Sequence, residues 1–148
     1  MPSAEVASFV PDASVAAKWY FDDEDEVARA RRLYQDYVRG TVSLVVPDCF
    51  FYELLGVVRT DERRTPPRVS AARAEEILRE LMNLAVAVID SRPLLSRALE
   101  LSRALEIAPY DALYLAVAEG AGAMFVTADQ RLHDRVKHLP YVRWFADL

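Results

Sequence analysis

Five short apolar runs recur along the chain, at residues 7–10, 43–46, 85–89, 123–127 and 142–145, each near a Pro, Gly or Asp. Between them the apolar spacing changes to a helical period. Val27, Ala30, Tyr34, Tyr37 and Val38 form one stripe, Ala74, Ile77, Leu78 and Leu81 a second, and Leu94, Ala98, Leu101 and Leu105 a third. Short apolar runs with no polar alternation suit strands covered on both faces. Strands that alternate with helices from end to end must be joined by right-handed crossovers, so the pattern predicts a three-layer α/β domain around a parallel sheet of about five strands.

A chain of 148 residues, 53% hydrophobic and 28% charged, can build one core and not two, so residues 1–148 read as a single domain. The stretch 60–70, "TDERRTPPRVS", reads as a loop between helices. Its formal net charge of -5 removes the overall basic field that would attract nucleic acid, so any polyanion must be held locally. Cys49 stands alone and can form no internal disulfide, which fits a reducing compartment. No leader-like N-terminus and no bilayer-length apolar run is present, and the expectation is a soluble cytoplasmic protein. The four glycines, at 40, 56, 120 and 122, make no phosphate loop or dinucleotide fingerprint, so a nucleotide cofactor is not expected.

Ligands of open parallel sheets bind beyond the carboxyl ends of the strands. Asp12 directly follows the first apolar run and Asp129 the fourth, which places both on one rim. Each also suits a helix N-cap. Glu53 sits mid-helix in "PDCFFYELLGVV", with Cys49, Phe50, Gly56 and Val57 at three and four positions, and meets no capping rule. An unpaired carboxylate in such a stripe is costly or strongly shifted in pKa. Asp111 opens "PYDALYLAVAEG", a helix apolar on nearly every side; the first turn after Pro109 favours an acid through the helix dipole. If these four acids converge, a divalent cation resolves their repulsion. Oxygen ligands without cysteine or histidine favour Mg²⁺ or Mn²⁺ over zinc, and such a site suits phosphoryl chemistry.

Three stretches, "VPDASVAAKWY", "PDCFFYELLGVVRT" and "LEIAPYDALYLAVAEGAGAMFVTADQRL", together resemble the PIN-domain nucleases, and among them the VapC-type ribonuclease toxins of toxin–antitoxin pairs. The resemblance implies a PIN-like fold, metal-dependent hydrolysis of RNA, and Asp12, Glu53, Asp111 and Asp129 as the acidic metal site, with Ser14 and Thr127 as polar support. It also implies a homodimer that binds a small antitoxin. Some members of the family carry a further acid two residues after the position of Asp129; here that residue is Arg131, which leaves one ion as the firm expectation.

Arg59, Arg63 and Arg64, with Arg68 and Arg73 beyond them, are candidates for RNA contact; a solvated charged loop is the alternative, since Asp61 and Glu62 lie among them. The aromatics of 18–21 and 49–55 exceed what one buried helix face needs, which suggests either core packing or a partner surface. Cys49 reads as a small core hydrophobe, His133 and His138 as surface residues, and Asp48 and Asp90 as caps of the helices that follow them. Two rival functions are weighed, the second of which would use Asp12 and Asp90 at strand ends with Thr127 as a switch hydroxyl. A catalytically silent PIN-like binding module would keep the fold. A phosphorylation-controlled signalling domain would need an acid pair after the first strand and a lysine after the last, where this chain has Asp12–Ala13 and "FADL".

Overall fold

The computed structural model describes residues 5–21 and 27–148. Five parallel strands, β1 (Ala7–Pro11), β2 (Val42–Pro47), β3 (Ala87–Ile89), β4 (Met124–Thr127) and β5 (Val142–Trp144), lie in the order β3-β2-β1-β4-β5. Helices α1 (Ala13–Ala17) and α2 (Val27–Val38) connect β1 to β2, and α3 (Phe50–Glu62) and α4 (Ala71–Met82) connect β2 to β3. A 3₁₀ turn at Arg92–Leu94, α5 (Leu95–Leu105) and α6 (Pro109–Ala121) lead to β4, and α7 (Gln130–Val136) leads to β5. The three-layer parallel arrangement is the one that the alternating pattern predicts.

The chain leaves β1 toward β2 on one side and returns through β4 on the other. The strand order therefore reverses between β1 and β4, and a crevice opens beyond their carboxyl ends. The centre of the sheet is dry: Val10, Val46, Phe125 and Val126 have no exposed surface. The edges are not. Ala87 and Val88 of β3 face solvent, so the third apolar run is an edge strand and not one covered on both faces. One strand's own sequence does not reveal which neighbour it lacks.

Helix α6 is the buried connector, with Ala112 through Ala118 inaccessible on every face. Pro109 starts it at N1, where no amide hydrogen is needed. Gly122, at φ 61°, ends it in the left-handed conformation and turns the chain straight into β4. These two stops fix the N-terminus of α6 at the rim where β1 and β4 end.

Several sequence expectations are corrected. Helix α3 runs on to Glu62, so the expected loop at 60–70 begins only at Arg63. Asp61 is buried and is held by Arg64 at 3.1 Å and Arg68 at 3.0 Å, and the Arg68 guanidinium also lies over the Phe21 ring. Asp48 does not cap α3, whose N-cap is Cys49 with no side-chain bond. It accepts instead from the backbone N–H and hydroxyl of Ser91, tying the end of β2 to the start of the 3₁₀ turn. Asp90 does not cap the following helix either, since the N-caps there are Ser91 and Leu94 without side-chain bonds; it accepts from the Arg92 backbone N–H and pairs with its guanidinium.

Candidate functional site

Asp12 and Asp129 serve as helix caps and as rim acids together. Asp12 accepts from the Val15 N–H and caps α1; Asp129 accepts from the Leu132 N–H and caps α7. Capping leaves a carboxylate lone pairs to spare. Around Asp12 those are taken by Ser14 Oγ, which donates to Oδ1, and Thr127 Oγ1, which donates to Oδ2. Ala128 N–H donates to Ser14 Oγ at 2.9 Å and Asp129 N–H to Thr127 Oγ1 at 3.0 Å, so the two hydroxyls bind the end of β4 to the end of β1. Both polar residues expected beside the site therefore touch Asp12. Asp12 is only 6% exposed, and burial pushes its pKa up to about 6 despite these hydrogen bonds.

Glu53 projects from α3 toward α6. Tyr114 O–H donates to its Oε2 at 3.2 Å, while Oε1 is buried with no hydrogen-bond partner among the described residues. Burial raises its pKa, and nearby Asp111 adds to the rise, against opposing effects of Tyr114 and the Cys49 thiol. That thiol is itself pushed up to about 12, first by burial and then by Glu53. Cys49 is half-buried against the hydrophobic core, as expected, and also forms part of the wall of the cleft with Glu53 and Asp111.

Asp111 is the common neighbour. It raises the pKa of both Asp12 and Glu53, and its own is raised by burial first and then by Asp129. With Glu53 it lines one cleft of about 430 Å³, and with Asp129 another of about 340 Å³. The acids surround Asp111 instead of closing on one point. Among the described residues no three Asp, Glu, His or Cys side chains are gathered tightly enough to hold a metal ion. The chemistry of the four acids still suits a hard divalent cation, since each offers only oxygen donors and one buried Glu53 oxygen is orphaned.

Most arginines of the α3–α4 region pair with neighbouring acids. Arg59 pairs with Glu62 at 2.6 Å, Arg64 and Arg68 with Asp61, and Arg73 with Glu76 and Glu80. Arg63 is exposed and lines neither acidic cleft. The basic side chains beside the acids are Arg131 and Arg135 of α7, which line the cleft of Asp111 and Asp129. The spacing from Asp129 held that signal. His133, between them, packs its ring on Trp144 with centroids 5.2 Å apart.

Of the aromatic stretches, Trp19, Tyr20, Phe21 and Phe50 belong to the core. Tyr52, Leu55 and Met82 remain exposed along an apolar groove of about 580 Å³ between α3 and α4, also lined by Phe51 and Leu78. Among the described residues no helix is long and apolar enough to cross a membrane.

No curated protein matches this sequence. Solved structures do share its fold. PAE2754 from Pyrobaculum aerophilum superposes with a TM-score of 0.66 at 22% identity, over 91% of this chain and 83% of that one. VapC20 of Mycobacterium tuberculosis, described as a sarcin-ricin loop cleaving toxin, gives 0.63 at 17% identity, over 85% and 93%. VapBC2 from Rickettsia felis, bound to a DNA fragment from their promoter, gives 0.59 at 14% identity, over 93% and 96%. The PIN domain family model matches residues 9–139, a span that holds all four acids, and the chain belongs to the PIN-domain family.

Proposed function

We propose that this protein is a Mg²⁺- or Mn²⁺-dependent endoribonuclease and the toxin of a VapBC-type pair. The observation that carries the reading is Asp111, which lines one cleft with Glu53, whose Oε1 is orphaned, and a second with Asp129. Family membership and the likeness to a sarcin-ricin loop cleaving toxin and to toxin–antitoxin complexes support the same reading.

Asp12, Asp111 and Asp129 would hold the divalent ion, which would supply Lewis-acid polarisation of phosphate and a lowered pKa for the attacking water. The chain's own contribution is to fix and tune the acids. Ser14 and Thr127 lock the Asp12 carboxylate in one orientation. Tyr114 fixes Glu53 Oε2, which leaves Oε1 as the atom able to ligate or to accept a proton from the attacking water. The buried α6 prevents Asp111 from drifting from its neighbours.

The small antitoxin would cover the apolar groove of Leu55, Leu78 and Met82, whose exposure costs solubility unless a partner buries it. A homodimer and a cytoplasmic location complete the proposal. The rival signalling reading lacks the acid pair and lysine that it needs. A silent binding module is separated by activity: purified protein is incubated with a mixed RNA pool, with and without each ion, beside Asp111→Asn. Metal-dependent cleavage absent from the variant supports the enzyme. Cleavage no greater than the variant's under every ion condition overturns it.

A further inference from the structure

Asp111 forms part of the wall of two clefts with opposite chemistry. One is lined by Cys49, Tyr52, Glu53, Tyr110 and Asp111, and none of these is basic. The other brings Arg131 and Arg135 beside Asp111 and Asp129. In the first, each tyrosine directly precedes an acid, Tyr52 before Glu53 and Tyr110 before Asp111. Successive helical residues point about 100° apart, so each ring flanks its acid without covering it. Tyr52 is 74% exposed and Tyr110 68%, although the same helices bury Phe50 and Tyr114 completely or nearly so. Two large rings held in water beside an acidic cleft contribute little to the core.

An RNA strand offers phosphates and bases in alternation. The tyrosine cleft has no basic side chain to draw the backbone and offers two rings to the flat face of a base. The arginine cleft suits the backbone. Arg135 pairs with Glu106 at 3.3 Å, but both side chains are exposed, and such a pair gives way easily to a phosphate.

We propose that Tyr52 and Tyr110 form a base-stacking platform that seats an unpaired nucleotide beside the scissile phosphate, while Arg131 and Arg135 hold the backbone on the far side of Asp111. This rests on the ribonuclease reading above. It assigns RNA binding to four residues outside the acidic set and away from the arginines of the α3–α4 region.

The test is a cycle between protein and RNA. Fluorescence anisotropy measures binding of labelled single-stranded oligoribonucleotides, each abasic at one position, to protein silenced by Asp129→Asn in the presence of Mn²⁺. Removing the seated base is expected to weaken binding about tenfold at one position, the scale of a single base–aromatic contact. Combined Tyr52→Ala and Tyr110→Ala substitution should lower affinity for the intact strand similarly and abolish the abasic effect, whereas the Tyr→Phe pair should retain both. Arg131→Ala and Arg135→Ala should each reduce the salt dependence of binding by somewhat less than one unit of slope, about 0.7 for a single strand. The exposed positions make misfolding of the variants easy to check by thermal melting.

An abasic loss of equal size in the Tyr→Ala protein, or no position-specific loss at all, overturns the platform while leaving metal-dependent cleavage by the unmodified protein intact. A ring-dependent abasic loss without any cleavage by the unmodified protein upholds the platform and overturns the nuclease reading. Failure to bind any oligonucleotide overturns both.

Discussion

Tyr114 of α6 donates its hydroxyl hydrogen to Glu53 Oε2 of α3 across 3.2 Å, joining residues 61 positions apart in sequence. Asp111 lies one turn before Tyr114, so the same helix presents one acid to the site and steadies another. The hydrogen bond favours ionised Glu53 against a burial that opposes it. In Tyr114→Phe the carboxyl pKa should rise further, and the acidic limb of the pH profile of kcat/KM should move to higher pH. Activity near neutrality should fall about five- to tenfold, the equivalent of roughly 1 kcal/mol for one ordinary hydrogen bond. An unmoved acidic limb would remove Tyr114 from this role.

Asp12 links stability to pH and to metal. Its folded pKa of about 6 lies above the ordinary value of 3.8, so the folded state holds more protons than the unfolded state between the two. Stability from this group is present at low pH and is lost as pH rises toward and through about 6, a loss on the order of 2–3 kcal/mol. Thermal melts in chelator should show the decline in the native protein and a flatter profile in Asp12→Asn. Because protons and cations compete for the same oxygens, added Mn²⁺ should raise Tm more near pH 7 than near pH 5. A Tm increment independent of pH would contradict the linkage.

Thr127→Val keeps the shape of a side chain with no exposed surface but removes the donor to Asp12 Oδ2 and the acceptor of Asp129 N–H. The expected loss is about 1–3 kcal/mol, because buried polar groups are left unpaired. Thr127→Ser should recover most of it. Denaturant melts of the two variants decide the point; equal losses would assign the effect to packing of the methyl group instead.

Asp61 separates a structural ion cluster from the functional one. It is 3% exposed and holds Arg64 and Arg68 behind the start of the α3–α4 connection. Asp61→Asn should cost about 2–4 kcal/mol, since it breaks a largely buried ion pair with Arg68 and the second pair with Arg64. At a temperature where the variant is folded, RNA cleavage should be unchanged. A large loss of cleavage there would return these arginines to the substrate surface.

The layers of the fold were legible because strand and helix periods alternate along the whole chain, which leaves few topologies to consider. Asp12 and Asp129 could be placed on one rim for the same reason, each following a strand. Glu53 stood out as an acid in an apolar stripe, although it is not mid-helix as expected: α3 begins at Phe50, so Glu53 lies in the first turn, where the helix dipole also favours an acid. Other features depend on contacts between distant segments and leave no local trace. The exposure of Val88, the capture of Asp48 by Ser91, and the hydroxyl of Tyr114 on Glu53 are of this kind. The arginines of 59–73 drew attention as a cluster in sequence, yet folding pairs most of them with acids. Arg131, read from sequence as the loss of an acid, is in the folded chain a cation on the wall of the cleft.

The central claim is that Asp111 anchors a divalent cation among the four acids. Mn²⁺ binding followed by electron paramagnetic resonance, on the metal-free protein and on Asp111→Asn, tests it without reference to any RNA. The account predicts saturable binding by the native protein and at least tenfold weaker binding by the variant, with both melting as folded proteins. Binding of equal strength in the two, or none by the native protein, would contradict it.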